Sequence, residues 1–200
     1  MKSNYTTTAL LALSLAVSLP IYWYFEFGLF FERMLFPPPT DILRIGDFVA
    51  IGLQVLWISL LVSCRALFQQ ELQHKVTRFA LNALAVASIV ASAFFIVMRA
   101  VEVFSETPPS FDAFHIVSFL WLGLLVLLLA LIVLFGLSLQ LLERNIAKQL
   151  KLTGLFFILS VVTPFVTLGM LLPVAVILFA IALGNLAFYC WSSRHGVDLV

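Results

Sequence analysis

The stretch Phe79–Val101 reads FALNALAVASIVASAFFIVMRAV. Between Arg78 and Arg99 it carries no charge. A helix crossing about 30 Å of hydrocarbon needs about 20 apolar residues, and this stretch supplies them. Ala80, Ala83, Ala87 and Ala91 recur every three or four positions, so they line one helical face, with Ser88 and Ser92 beside it. Small residues let helix backbones approach closely, which is how helices pack in lipid, where no hydrophobic effect drives them together. The pattern predicts a membrane-spanning helix at the centre of a bundle.

Composition carries that reading to the rest of the chain. The 200 residues are 63% hydrophobic and 10% charged, with a mean hydropathy of +1.14. Soluble domains are about half apolar and about a quarter charged, so lipid is the expected solvent here. The net charge is +1 and there is no basic run, which excludes nucleic acid as an expected partner. Membrane lipids are the expected surroundings, and a membrane protein partner or a second copy the expected contact. Cys64 and Cys190 show no metal-ligand spacing. They read as small packing residues, with a redox pair as the alternative.

Working outward, the segmentation predicts a single all-α integral membrane domain. It is a polytopic transmembrane helical bundle of six spans, at about 6–31, 45–64, 79–101, 115–140, 152–169 and 173–191. In the first span Pro20 is expected to kink the helix by removing a hydrogen bond. Tyr22, Trp23 and Tyr24 fall where an aromatic belt belongs. A cleaved signal peptide ending near Ala16-Val17-Ser18 is the competing reading of this segment. The apolar positions of Phe27–Phe36 have helical spacing, which fits an interfacial helix or a continuation of the first span. Pro37-Pro38-Pro39 ends it, and Thr40 and Asp41 are placed to cap the next helix. The helical rhythm of Leu67, Phe68, Leu72 and Val76 predicts that the second helix overshoots the membrane or turns along its surface. The fourth span is Leu-rich and reads as lipid-facing. From Leu152 to Trp191 no charge appears. One helix of that length would be about 60 Å, twice the hydrocarbon layer, so a turn is expected near Gly169–Pro173. The loops Pro38-Pro39-Thr40-Asp41 and Pro108-Pro109-Ser110-Phe111-Asp112 resemble each other. Either a repeated hairpin or ordinary helix-turn chemistry accounts for that.

Cation placement sets the expected orientation. With both termini cytoplasmic, Lys2, Arg65, Lys75, Arg78, Arg144, Lys148, Lys151 and Arg194 fall inside, and Arg33, Arg44 and Arg99 outside. That satisfies the positive-inside rule and leaves an acidic outer rim. The expected location is the bacterial inner (cytoplasmic) membrane.

Two polar sets stand out. Glu26, Asp47, Arg99, Glu102 and His115 come from the outer ends of four spans. Ionisable groups within a span are expensive and face a partner or a wet cavity. They read either as a salt-bridge set that fixes helix register or as a shallow cation- or proton-handling site. Gln54, Asn82, Thr163, Thr167 and Asn185 lie deeper. They read as interhelical hydrogen-bonding groups or as a substrate site beside a helix break at Pro164. No nucleophile, phosphate-loop or zinc motif is present. His74, His115 and His195 are dispersed, so no cofactor or metal is expected. The leading expectation is a non-catalytic accessory or assembly subunit acting through helix packing. A small secondary transporter or channel using the outer acidic cluster is the alternative.

Overall fold

A computed structural model describes residues 2–28, 42–71, 75–104, 111–142, 148–167 and 171–194. The regular structure among them is six helices: α1 (Lys2–Phe27), α2 (Ile45–Glu71), α3 (Lys75–Phe104), α4 (Phe111–Gln140), α5 (Lys148–Val166) and α6 (Leu172–Arg194). Each is long and apolar enough to cross a membrane. The chain is a multi-pass, all-helical membrane protein.

The helix ends have local causes. α1 runs unbroken through Pro20 and stops at Gly28, whose φ is 76°. The Gly28 N–H donates to Tyr24 O at 2.9 Å. This is the left-handed glycine stop that a side chain would strain. α1 therefore ends at Phe27, and the part of the expected first span from 29 to 31 lies outside the described residues. Most of Phe27–Phe36, the three prolines, and the Thr40 and Asp41 caps lie outside the described residues. α2 begins with a different cap. Asp47 Oδ2 accepts from the Arg44 N–H at 2.9 Å, and the Asp47 N–H donates to Arg44 O at 3.0 Å. A carboxylate in the first turn reaching back to the entering N–H is the carboxylate half of a capping box. α2 continues past 64 to Glu71, in keeping with the helical rhythm of Leu67 and Phe68. α5 ends with Pro164 in its last turn. α6 starts at Leu172, so the chain folds back between 167 and 171.

The six helices form a ring in chain order. Each packs against the helices before and after it, and α6 returns to α1. α3 touches α2 and α4 among the described elements, so it is one stave of six and not the central helix that its alanine stripe suggested. Ala80, Ala87 and Ala91 are buried as that stripe predicts. A small-residue face shows that a neighbour is close, not that neighbours surround it. Short connections explain the order, because they place consecutive helices side by side and antiparallel.

Side chains fill the ring. Trp57 of α2 lies 5.5 Å from Phe179 of α6, and Phe179 lies 5.2 Å from Phe157 of α5, between ring centroids. Phe157 lies 5.7 Å from Phe135 of α4, and Phe135 lies 6.5 Å from Phe68 of α2. These separations suit offset and edge-to-face aromatic pairs. They carry contacts across a centre that the backbones do not reach. α4 and α5 cross at glycines. A Cβ on Gly136 would sit 2.7 Å from Gly154 O, and one on Gly154 would sit 2.5 Å from Gly136 O. Beside this crossing the Gln140 side-chain N–H donates to Lys151 O.

Burial is uneven along the bundle. The terminal end is taken here as the end where α1 begins and α6 finishes, and the distal end as its opposite. Among the described residues none is buried in α1 beyond Leu15, in α3 beyond Ala91, in α4 before Leu131, or in α5 beyond Val161. In the distal half the buried residues described are those of α2 and α6, among them Asp47, Ala50, Leu53 and Ala175. The distal half of α4 leans on α3 through Phe94 and Trp121, stacked at 5.6 Å. The lipid-facing reading of α4 fits this half, whereas its terminal half buries Phe135, Ser138 and Leu139.

Candidate functional site: a charge chain at the distal rim

Arg99 sits near the distal end of α3 and reaches across to α2. Its Nε donates to Asp47 Oδ1 at 2.9 Å, and its Nη2 to Asp47 Oδ2 at 2.9 Å. Two parallel bonds from a planar guanidinium to one carboxylate fix both distance and orientation. The Arg99 Nη1 donates to Glu102 Oε2 at 2.6 Å, three residues along the same helix. The Arg99 Nη2 also donates to Ile42 O at 3.1 Å. The side chains of Arg99 and Asp47 are only 11% and 7% exposed, against 44% for Glu102. The pair is therefore shielded and the third member faces outward.

A second ion pair continues this chain. Arg44 Nη1 lies 2.8 Å from Glu26 Oε1, while the Arg44 backbone N–H is bound to Asp47. The run Glu26–Arg44–Asp47–Arg99–Glu102 thus ties the distal ends of α1, α2 and α3 together. Gly46 makes room for it, since a Cβ there would meet Glu26 Oε2 at 2.5 Å. The carboxylates of Glu26 and Asp47 also lie at the start of α2, where a helix favours negative charge. Three carboxylates against two guanidiniums leave the run at −1 with most of its charge cancelled internally. His115 is exposed in the second turn of α4, and the links named above run without it. Arg44 is the member that the sequence reading left out of the set. Its signal was its spacing of three residues before a first-turn Asp.

The deeper set does not converge. Thr163 Oγ1 donates to Leu159 O at 2.7 Å, and Thr167 Oγ1 to Thr163 O at 2.8 Å. The Leu171 N–H reaches Thr167 Oγ1 at 3.3 Å. These two threonines therefore shape the α5–α6 turn at the distal end, not the middle of the layer. Asn185 is half-buried in α6, which continues through Gly184. Gln54 of α2 and Asn82 of α3 each have a buried amide oxygen without a hydrogen-bond partner. Between their depths the Trp57 Nε1–H donates to Ser88 Oγ at 3.0 Å, an α2–α3 bond absent from both sequence-derived sets.

Cys64 and Cys190 are buried free thiols. No group of three or more His, Cys, Asp or Glu side chains that could hold a metal ion occurs among the described residues. Compared with family models, with curated proteins and with solved structures, the chain matches none of them.

Proposed function

We propose that this multi-pass membrane protein is a non-catalytic accessory or assembly subunit that acts through its helix surfaces. The observation that carries the reading is the distal charge chain. Asp47, Arg99, Glu102, Glu26 and Arg44 are engaged with one another, which suits a brace for three helix ends more than a site that takes and releases an ion. Among the described residues, Trp57, Phe179, Phe157 and Phe135 pack ring against ring across the centre, where a solute would have to pass. Among the described residues, the distal half of α4 turns apolar side chains outward, Ile116, Phe119, Leu120 and Leu122 among them. We further propose that both termini face the cytoplasm of a bacterial cell, on the strength of the cation count.

Purification in mild detergent tests the role. A stoichiometric membrane partner or a defined homo-oligomer is expected. A solitary monomer that moves solute across liposomes would defeat the proposal. That outcome would favour the second reading, a small transporter or channel, which the buried amide oxygens of Gln54 and Asn82 without a hydrogen-bond partner support.

A further inference from the structure

The seam between α2 and α3 carries polar groups at several depths, and two of its contacts fix its register. Trp57 is bonded to Ser88. Asp47, ten residues distal on α2, is bonded to Arg99, eleven residues distal on α3. The two offsets agree at about 15 Å of helix rise, so the helices run alongside each other without slipping. Gln54 then falls about 4.5 Å distal of Trp57, level with Ala91 and Ser92. It lies seven residues from Asp47 and three from Trp57, which puts it on the face of α2 that meets α3. Ser92 lies four residues from Ser88, on the face of α3 that meets α2.

Gln54 Oε1 is buried and has no hydrogen-bond partner. An amide oxygen within the hydrocarbon layer is costly unless a donor meets it. On the α3 side the described residues beyond Ala91 are half-buried or exposed, while on the α2 side Asp47, Ala50 and Leu53 are buried. On the terminal side the seam closes. Leu60, Leu61, Leu81 and Leu84 are buried there, and the Trp57 ring packs on Phe179.

We infer that the distal half of the α2–α3 seam is hydrated. Water enters at the rim, passes the Asp47–Arg99 pair, is held by the Gln54 amide and the Ser92 hydroxyl, and stops at Trp57–Ser88. The ligand is water because the lining offers several hydrogen-bonding groups spaced along a narrow contact between neighbouring helices. A bound water needs two to four such partners. The seam is a blind one, so hydration does not make it a conduit, and the inference stands apart from the proposed role.

Cysteine accessibility tests it. In a Cys64→Ala, Cys190→Ala background, single cysteines are placed by Ser92→Cys, by Ile45→Cys at the exposed rim and by Leu84→Cys in the closed part. A charged methanethiosulfonate reacts with thiolate, which forms where water reaches. Ser92→Cys is expected to react within about tenfold of Ile45→Cys, and Leu84→Cys at least about a hundredfold more slowly. Adding Gln54→Leu is expected to slow Ser92→Cys by about tenfold, by removing the group that holds the water. A Ser92→Cys protein that elutes like the parent yet reacts as slowly as Leu84→Cys overturns the inference. Hydroxyl-radical footprinting of the unsubstituted chain gives a second reading that needs no variant to fold. Folding should protect Trp57 less than Phe157, and equal protection of the two also overturns it.

Discussion

Arg99 uses its whole planar fork, giving four hydrogen bonds to two carboxylates and a carbonyl. Lysine carries the same charge on a point-like head that cannot reproduce the paired geometry. Arg99→Ala leaves the shielded Asp47 carboxylate without its counter-charge, a change that costs about 3–5 kcal/mol in buried pairs. Thermal unfolding in detergent should show a large loss for Arg99→Ala and an intermediate one for Arg99→Lys. The double variant Asp47→Ala, Arg99→Ala should lose less than the sum of the two single ones, because it removes both charges together. Strict additivity would mean that the two side chains do not act as a unit. Part of this pair was legible in the residues themselves. Arg99 and Glu102 stand three apart near a span end, and Asp47 sits in a first turn. Which carboxylate Arg99 would choose was not legible, since that depends on the register of α2 against α3.

At the scale of helices, the α4–α5 crossing rests on the missing side chains of Gly136 and Gly154. Each added Cβ would press on the opposite backbone oxygen, which cannot swing aside as a flexible side chain can. Gly136→Val and Gly154→Val should each cost about 1–3 kcal/mol through overpacking. Gly123 has nothing within 4 Å of an added Cβ, so Gly123→Ala should be neutral or raise stability by up to about 1 kcal/mol through helix propensity. Melting curves of the three variants separate a packing role from a general intolerance of change. The α5–α6 turn makes a smaller prediction. Thr167→Val removes a hydroxyl that accepts from Leu171 and donates to Thr163, for a loss of about 1 kcal/mol. That turn was readable in advance, because an uncharged run from Leu152 to Trp191 is too long for one crossing. The glycine crossing was not, because the two glycines lie on different helices and neither stands in a small-residue repeat.

At the scale of the molecule, the ring decides which distant residues meet. α2 and α6 do not approach within 8 Å between Cα atoms among the described residues, and two cysteines more than about 7 Å apart at Cα cannot be bridged without backbone movement. Oxidation of the folded protein should therefore leave Cys64 and Cys190 as thiols, which mass spectrometry after alkylation will read. An intramolecular disulfide formed without loss of the fold would contradict the ring. Sequence hydropathy was enough for six spans, since each needs only length and apolarity. It was not enough for the ring, because the alanine stripe of α3 speaks for one close neighbour and is silent on what lies beyond it.

Because α6 lies along α1 and an even number of crossings separates them, the beginning of α1 and the finish of α6 emerge side by side. The connection between Glu71 and Lys75 emerges at that same end of the bundle. Joining the start of α1 to the finish of α6 by a short peptide and opening the chain between 71 and 75 would therefore change the order of synthesis without changing which helices are adjacent. A circularly permuted gene of this kind should still yield the folded ring.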